Sequence, residues 1–135
     1  MKLNKTVIML ASAATLAFSA ISLPTYADDA PYTVTDGTHL DANSYKGFKL
    51  YRNWCARCHG TYGQGMVGPN LADSLKIISK DEFENTVTNG KSGTIGSMPA
   101  WKLNKKVVAG MDPLYAYLKA RSDGAIGVIK PKKTK

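Results

Sequence analysis

The stretch Cys55-Ala56-Arg57-Cys58-His59 decides how this 135-residue chain is read. Two thiols separated by two residues, with a histidine directly after the second, form the C-x-x-C-H signature of a covalently attached c-type haem. The residue types answer to the chemistry. Two thiols at this separation add to the two vinyl groups of one porphyrin, and the imidazole that follows falls beneath the iron as its proximal ligand. A redox dithiol also uses C-x-x-C, but it expects a βαβ setting that no segment here supplies. A zinc site needs further Cys or His ligands. The one other histidine, His39, stands in a polar leader and reads as a solvated surface residue. Cys55, Cys58 and His59 are therefore assigned to one haem c, with His59 on its iron.

Upstream of the motif, Asp41 to Trp54 reads as a helix. Asp41 or Asn43 can cap it, and Gly47, Tyr51 and Cys55 recur every four residues along one face. Downstream, Gly60 to Asn70 holds four glycines and Pro69 and can only be a turn-rich loop. Within it Gly63-Gln64-Gly65-Met66-Val67-Gly68 matches G-x-G-x-x-G. A dinucleotide fingerprint must follow a strand and open a helix, whereas this one follows the haem motif and ends at Pro69. We read it as a loop that lets backbone pass close to a porphyrin edge. A proximal histidine needs an acceptor for its other ring N–H, and the carbonyl of Pro69 is the candidate. Three methionines beyond the leader compete for the sixth ligand position. Met66 lies too few residues after His59 for the chain to cross to the opposite haem face. Met111 fits a hydrophobic staple before a helix. Met98, in Gly96-Ser97-Met98-Pro99-Ala100-Trp101, sits in a well-separated loop where proline restricts the backbone. A methionine is commonly core filling, but this setting favours Met98 as the second iron ligand, which would raise the potential and close the iron.

Further along, Ser79 with Glu82 makes a capping box, Phe83 and Val87 share a face, and Gly90 is a natural stop. Lys91 to Asn104 reads as a loop. The last helix is predicted from Asp112 as cap and Pro113 at the first helical position, with Leu114, Tyr117 and Leu118 facing inward and Gly124 just past its end. The pattern is that of an all-α domain, and the absence of strand–helix alternation argues against an α/β enzyme. Two cysteines rule out a disulfide-dense scaffold, and a 44% hydrophobic content rules out wholesale disorder. Residues 1–27 read as a signal peptide. Lys2 and Lys5 form its charged start, Val7 to Leu23 is uncharged, and Ala27 offers a small residue at the cut. Residues 28–40 then form an irregular leader, 41–124 the haem domain, and 125–135 a basic tail expected to be disordered. Export implies the periplasm, where two neighbouring thiols would not persist idle.

On these residues the chain resembles the class I c-type cytochromes, over about Ser44 to Ser122. In that family a small residue and an aromatic on the first helix pack against a leucine and an aromatic on the last. Gly47 and Tyr51 match the first pair, Leu114 and Tyr117 the second, and the C-x-x-C-H, Gly68-Pro69-Asn70-Leu71 and Met98-Pro99 segments match the haem motifs. Tyr115-Ala116-Tyr117-Leu118-Lys119-Ala120-Arg121-Ser122-Asp123-Gly124, with the leader Tyr32-Thr33-Val34-Thr35-Asp36-Gly37, is similar to the methanol-metabolism cytochromes c. That resemblance implies a periplasmic acceptor of electrons from a quinoprotein, pyrroloquinoline-quinone-dependent alcohol dehydrogenase, including the lanthanide-type methanol dehydrogenase. A downstream cytochrome or terminal oxidase would be the next acceptor.

The formal charge is +8, from 18 basic and 10 acidic residues. Without Lys2 and Lys5 it is +6. Lys46, Lys49, Arg52, Arg57, Lys102, Lys105 and Lys106 could form a basic ring that steers an acidic partner; solvated faces are the alternative. No nucleic-acid recognition motif is present, and no stable membrane insertion is expected of the cleaved chain. The resulting expectation is a one-electron carrier rather than an enzyme. The competing readings are a haem enzyme or gas sensor with an open sixth site, and a carrier serving a different respiratory donor.

Overall fold

The computed structural model describes residues 30–94 and 96–135; the expected signal peptide and its cut at Ala27 lie outside them. Helix α1 spans Ala42–Trp54. Asp41 starts it, accepting hydrogen bonds from the N–H groups of Asn43 and Ser44 at 2.9 and 3.0 Å and from Ser44 Oγ at 2.6 Å. This side chain meets the unpaired donors of the first turn. The helix buries Ser44, Gly47, Phe48 and Tyr51, the stripe its spacing predicts. Cys55 closes it, and the short helix α2 (Ala56–His59) follows at once.

Helix α3 (Leu71–Ser74) leads to α4 (Lys80–Asn89). Ser79 caps α4 through the N–H of Glu82 at 3.1 Å, and Gly90, with φ +77°, ends it. Helix α5 (Lys105–Ala109) runs into α6 (Met111–Ser122). Helices α1 and α6 form the most extensive helix contact, and they meet at Gly47. A Cβ on Gly47 would lie 1.7 Å from the carbonyl oxygen of Pro113, so only glycine admits this crossing. Around it Tyr51, Leu114, Tyr117 and Leu118 are at most 1% exposed. Phe48 meets Tyr117 edge-on at 5.3 Å between ring centres, and Tyr51 lies 5.5 Å from the same ring. Such pairs add about 1 kcal/mol each beyond their burial.

The class is all-α, but four local expectations change. The leader is not wholly irregular: β1 (Val34–Thr35) pairs antiparallel with β2 (His39–Leu40). The tail is not disordered: β5 (Lys132–Lys133) runs parallel to β2, with Lys132 N–H on Thr38 O at 2.9 Å and Thr134 N–H on Leu40 O at 2.8 Å. The 91–104 segment holds a small hairpin, β3 (Lys91–Ser92) with β4 (Ser97–Met98), before α5. Asp112 does not cap α6. The helix starts two residues earlier, because Gly110 closes α5 and its carbonyl already accepts the Leu114 N–H at 2.9 Å. Asp112 instead pairs with Lys80 Nζ at 2.6 Å.

Candidate functional site

Helix α1 delivers the C-x-x-C-H turn. Cys55 donates its N–H to Tyr51 O and accepts from His59 N–H at 3.0 Å, so the motif is one helical turn continued from α1. Cys55 is half-buried and Cys58 exposed, and both thiols are free. Burial first, then the neighbouring Cys58, pushes the Cys55 thiol up to about 12. His59 is 7% exposed, and its Nδ1 lies 3.0 Å from the carbonyl oxygen of Pro69. A carbonyl has no proton to give, so Nδ1 donates, and in the neutral ring Nε2 is left as the unprotonated nitrogen.

Gly68 holds that geometry. A Cβ there would lie 2.8, 2.9 and 3.3 Å from Cε1, Nδ1 and Nε2 of His59. The loop is tied to the motif by Gly65 N–H on His59 O and Gly68 N–H on Cys58 O, both at 2.8 Å. Two core side chains clamp the loop from beneath. Tyr51 donates its hydroxyl to Gly60 O, and burial, reinforced by Cys55, holds that phenol well above its ordinary range, so it stays a donor. Arg121, itself 7% exposed, donates from Nε to Tyr62 O at 2.8 Å and from Nη1 to Ile126 O at 2.7 Å. The sequence marks Gly68 as part of a close-approach loop and of the Gly68-Pro69-Asn70-Leu71 motif but not its contact with His59, and it assigns no role to Arg121. The available signal for Arg121 was its place on the inward stripe of α6, continuing Leu114, Tyr117 and Leu118.

Cys55, Cys58, His59 and Pro69 thus form one hydrogen-bonded unit. Met98 belongs to another. It is half-buried in β4 and packs against the core. Its strand pairs with β3 directly after α4, and Trp101 N–H on Val87 O at 3.0 Å fastens the chain again just beyond it. A Cβ on Gly90 would lie 2.5 Å from Met98 O, so the end of α4 also sets the position of Met98. His39 takes no part: its Nδ1 is 2.9 Å from the Asp36 carboxylate, which the hydrogen bonds from His39 and then Thr38 lower to about 2.

The donor set fits a covalent haem. It comprises two free thiols one turn apart and an imidazole whose second nitrogen is fixed by a carbonyl behind it. The flanking segments also leave Met66, Val67 and Leu103 bare, at 66%, 70% and 91% exposure, as suits a chain that folds against a large apolar group. Fold and site together define a c-type cytochrome. Residues 42–118 match the family described as "Cytochrome C oxidase, cbb3-type, subunit III". The chain is 39% identical to cytochrome c-555 of Methylococcus capsulatus across 91% of its own length and 90% of that protein's. It is 32% identical to cytochrome c-553I of Paracoccus denitrificans, over 79% of this chain and 50% of that one. Among solved structures, the c-type cytochrome XoxG of Methylobacterium extorquens AM1 aligns with a TM-score of 0.69 at 39% identity, covering 75% of this chain and 64% of that one. This chain belongs to the class I c-type cytochromes, as a monohaem electron-transfer protein that carries haem c and its iron and is not an enzyme.

Proposed function

We propose that the chain is a periplasmic one-electron carrier. Its haem is fixed by Cys55 and Cys58 and held between His59 and Met98, and it takes electrons from a quinoprotein alcohol dehydrogenase of the methanol type. The observation that carries His59 as a ligand is its hydrogen bond to Pro69 O. It orients the ring and leaves Nε2 free for a metal. The bound haem supplies the one-electron iron couple. The residues do the rest. Gly68, Tyr51 and Arg121 keep the His59 side rigid, and the β3–β4 hairpin offers Met98 from a braced strand, so little reorganisation accompanies a change of charge. Met98, if it held the iron with His59, would exclude small ligands, which suits a carrier rather than a catalyst.

The docking face we assign to the donor lies beside the motif. A depression lined by Trp54, Ala100, Leu103, Asn104, Lys105 and Lys106 joins apolar side chains to a cationic rim. Lys46, Lys49, Arg57, Lys102, Lys105 and Lys106 form no ion pair among the described residues, so their charge faces outward uncompensated. An acidic donor fits such a rim, and the resemblance to the methanol-metabolism cytochromes c implies a dehydrogenase of the methanol class as that donor. Next in line would stand another cytochrome or a terminal oxidase.

The deciding experiment is the absorption spectrum of the holoprotein, oxidised and reduced. A weak near-infrared sulfur-to-iron band, together with a reduced spectrum unchanged by carbon monoxide, is expected. Met98→Ala should lose the band and bind carbon monoxide. A wild type that lacks the band and binds the gas at once would overturn the ligand set and favour a gas-binding role. Reduction by purified quinoprotein alcohol dehydrogenase with its substrate tests the donor, and no reduction would remove it.

A further inference from the structure

Beyond α6 the chain carries Val128 and Ile129, 56% and 37% exposed, then Lys130, Lys132, Lys133 and Lys135, all exposed. None of the four lysines forms an ion pair among the described residues, and no acidic residue follows Asp123. The acids elsewhere are mostly engaged locally: Asp73 with Lys76, Glu84 and Asp112 with Lys80, Glu82 with Lys91, and Asp123 with Lys119. Nor does the segment wave free. Pro131 is buried, and β5 is bonded to the backbone of Thr38 and Leu40. Two bare aliphatics and four uncompensated cations are therefore displayed from a fixed place on the body.

Strand β5, which carries Lys132 and Lys133, is remote from the haem motif. Strand β2 leads directly into Asp41, the cap of α1, whereas Cys55 closes the opposite end of that 13-residue helix. At 1.5 Å per residue the two ends are about 20 Å apart.

We propose that residues 128–135 are a docking surface for anionic phospholipid. Val128 and Ile129 enter the interfacial layer, and the four lysines, their stems lying along it, set their ammonium groups among the phosphates. The composition favours lipid over an acidic protein. Protein hot spots draw on Trp, Tyr and Arg, and residues 125–135 contain none of these. Lysine is a point charge that serves a diffuse field of phosphates without needing bidentate geometry. Docking by this end leaves the motif end facing the aqueous space, so the carrier keeps access to soluble partners while its search is confined to a surface. The inference stands whether or not the donor is an alcohol dehydrogenase.

The test is co-sedimentation of the holoprotein with vesicles of phosphatidylcholine alone and of phosphatidylcholine mixed with phosphatidylglycerol. Binding to the mixed vesicles only, lost as salt is raised, is expected. A variant with Lys130→Gln, Lys132→Gln, Lys133→Gln and Lys135→Gln should bind more than about a hundredfold more weakly at low salt, at roughly fivefold per lysine. Its backbone bonds to β2 remain, so an unchanged haem spectrum shows that the fold is kept. Val128→Ser with Ile129→Ser should also weaken binding. Equal binding to both vesicle types, or full binding by the lysine variant, would overturn the proposal. So would wild-type binding to polyglutamate as tight as to the mixed vesicles with the aliphatic variant unaffected, which would point to an acidic protein instead.

Discussion

His59 owes its orientation to what is missing at position 68. The loop backbone lies against the imidazole because Gly68 has no side chain, and a methyl group there would meet three ring atoms within 3.3 Å. The ring is the less able to move because its Nδ1 is bonded to Pro69 O. Gly68→Ala should therefore destabilise the holoprotein by about 1–3 kcal/mol, the usual cost of overpacking, as read from denaturant unfolding. Gly124→Ala is a useful contrast. Its φ is +73° but it faces open space, so only backbone strain of about 1 kcal/mol is at stake. If Gly68→Ala proves no worse than Gly124→Ala, the ring is not held by this contact. The two positions also differ in how they could be read. C-x-x-C-H names its own residues, and the need of a proximal histidine for an acceptor points to Pro69. Gly68 reads as part of a loop that lets backbone approach a porphyrin, but its contact with the His59 ring depends on a distance that spacing does not encode. Arg121 was obscured by its charge. A cation on an inward stripe is satisfied here by two backbone carbonyls, one of them 59 residues away.

At the scale of elements, the crossing of α1 and α6 depends on Gly47. Since a Cβ there would lie 1.7 Å from Pro113 O and 2.3 Å from its carbonyl carbon, one helix must shift off the other to admit it. Gly47→Ala is expected to destabilise by about 4 kcal/mol or more, in the range reserved for core disruption, with lowered yield of holoprotein as its companion. The start of α1 carries a pH dependence. Burial, the largest single influence on Asp41, opposes its ionisation. The hydrogen bonds from Ser44 Oγ and from the N–H groups of Thr33, Ser44 and Asn43 outweigh it, and the carboxyl titrates below its ordinary value of 3.8. A depressed folded-state value means that this carboxylate stabilises the fold above its unfolded pKa and loses that effect as pH falls through the lower folded value. Asp41→Ala should cost about 1 kcal/mol at neutral pH, and its deficit relative to wild type should shrink below about pH 4; a deficit that is constant with pH would refute the assignment. The legible elements are those with local punctuation: Asp41 and Ser79 as caps, Gly90 as a stop, and long apolar stripes. Helices α3 and α5, at four and five residues, are too short for periodicity to register. Strand β5 depends on a partner more than ninety residues away, so its lysines read as a loose tail. Asp112-Pro113 has the chemistry of a cap, but Gly110 had already taken the place through the turn that links α5 to α6.

Across the whole molecule, the excess of positive charge divides into two groups that should behave separately. One surrounds the depression beside Trp54 and Leu103; the other is the lysine cluster at β5, at the far end of α1. Steering of an acidic donor acts through the first group and over distances that salt controls, since the screening length shortens from about 30 Å at 0.01 M to about 8 Å at 0.15 M. The bimolecular rate of reduction by an acidic dehydrogenase should fall steeply over that range. Lys102→Gln with Lys105→Gln and Lys106→Gln should lower the rate at low salt and flatten its salt dependence, because rim charges act chiefly on association. Neutralising the β5 lysines should leave both unchanged in free solution, where no lipid is present. Stopped-flow reduction of the three proteins across a salt series makes the comparison. Equal loss from both sets would mean that net charge alone, and not the rim beside the haem motif, guides the donor; a salt-independent wild-type rate would mean that steering plays no part.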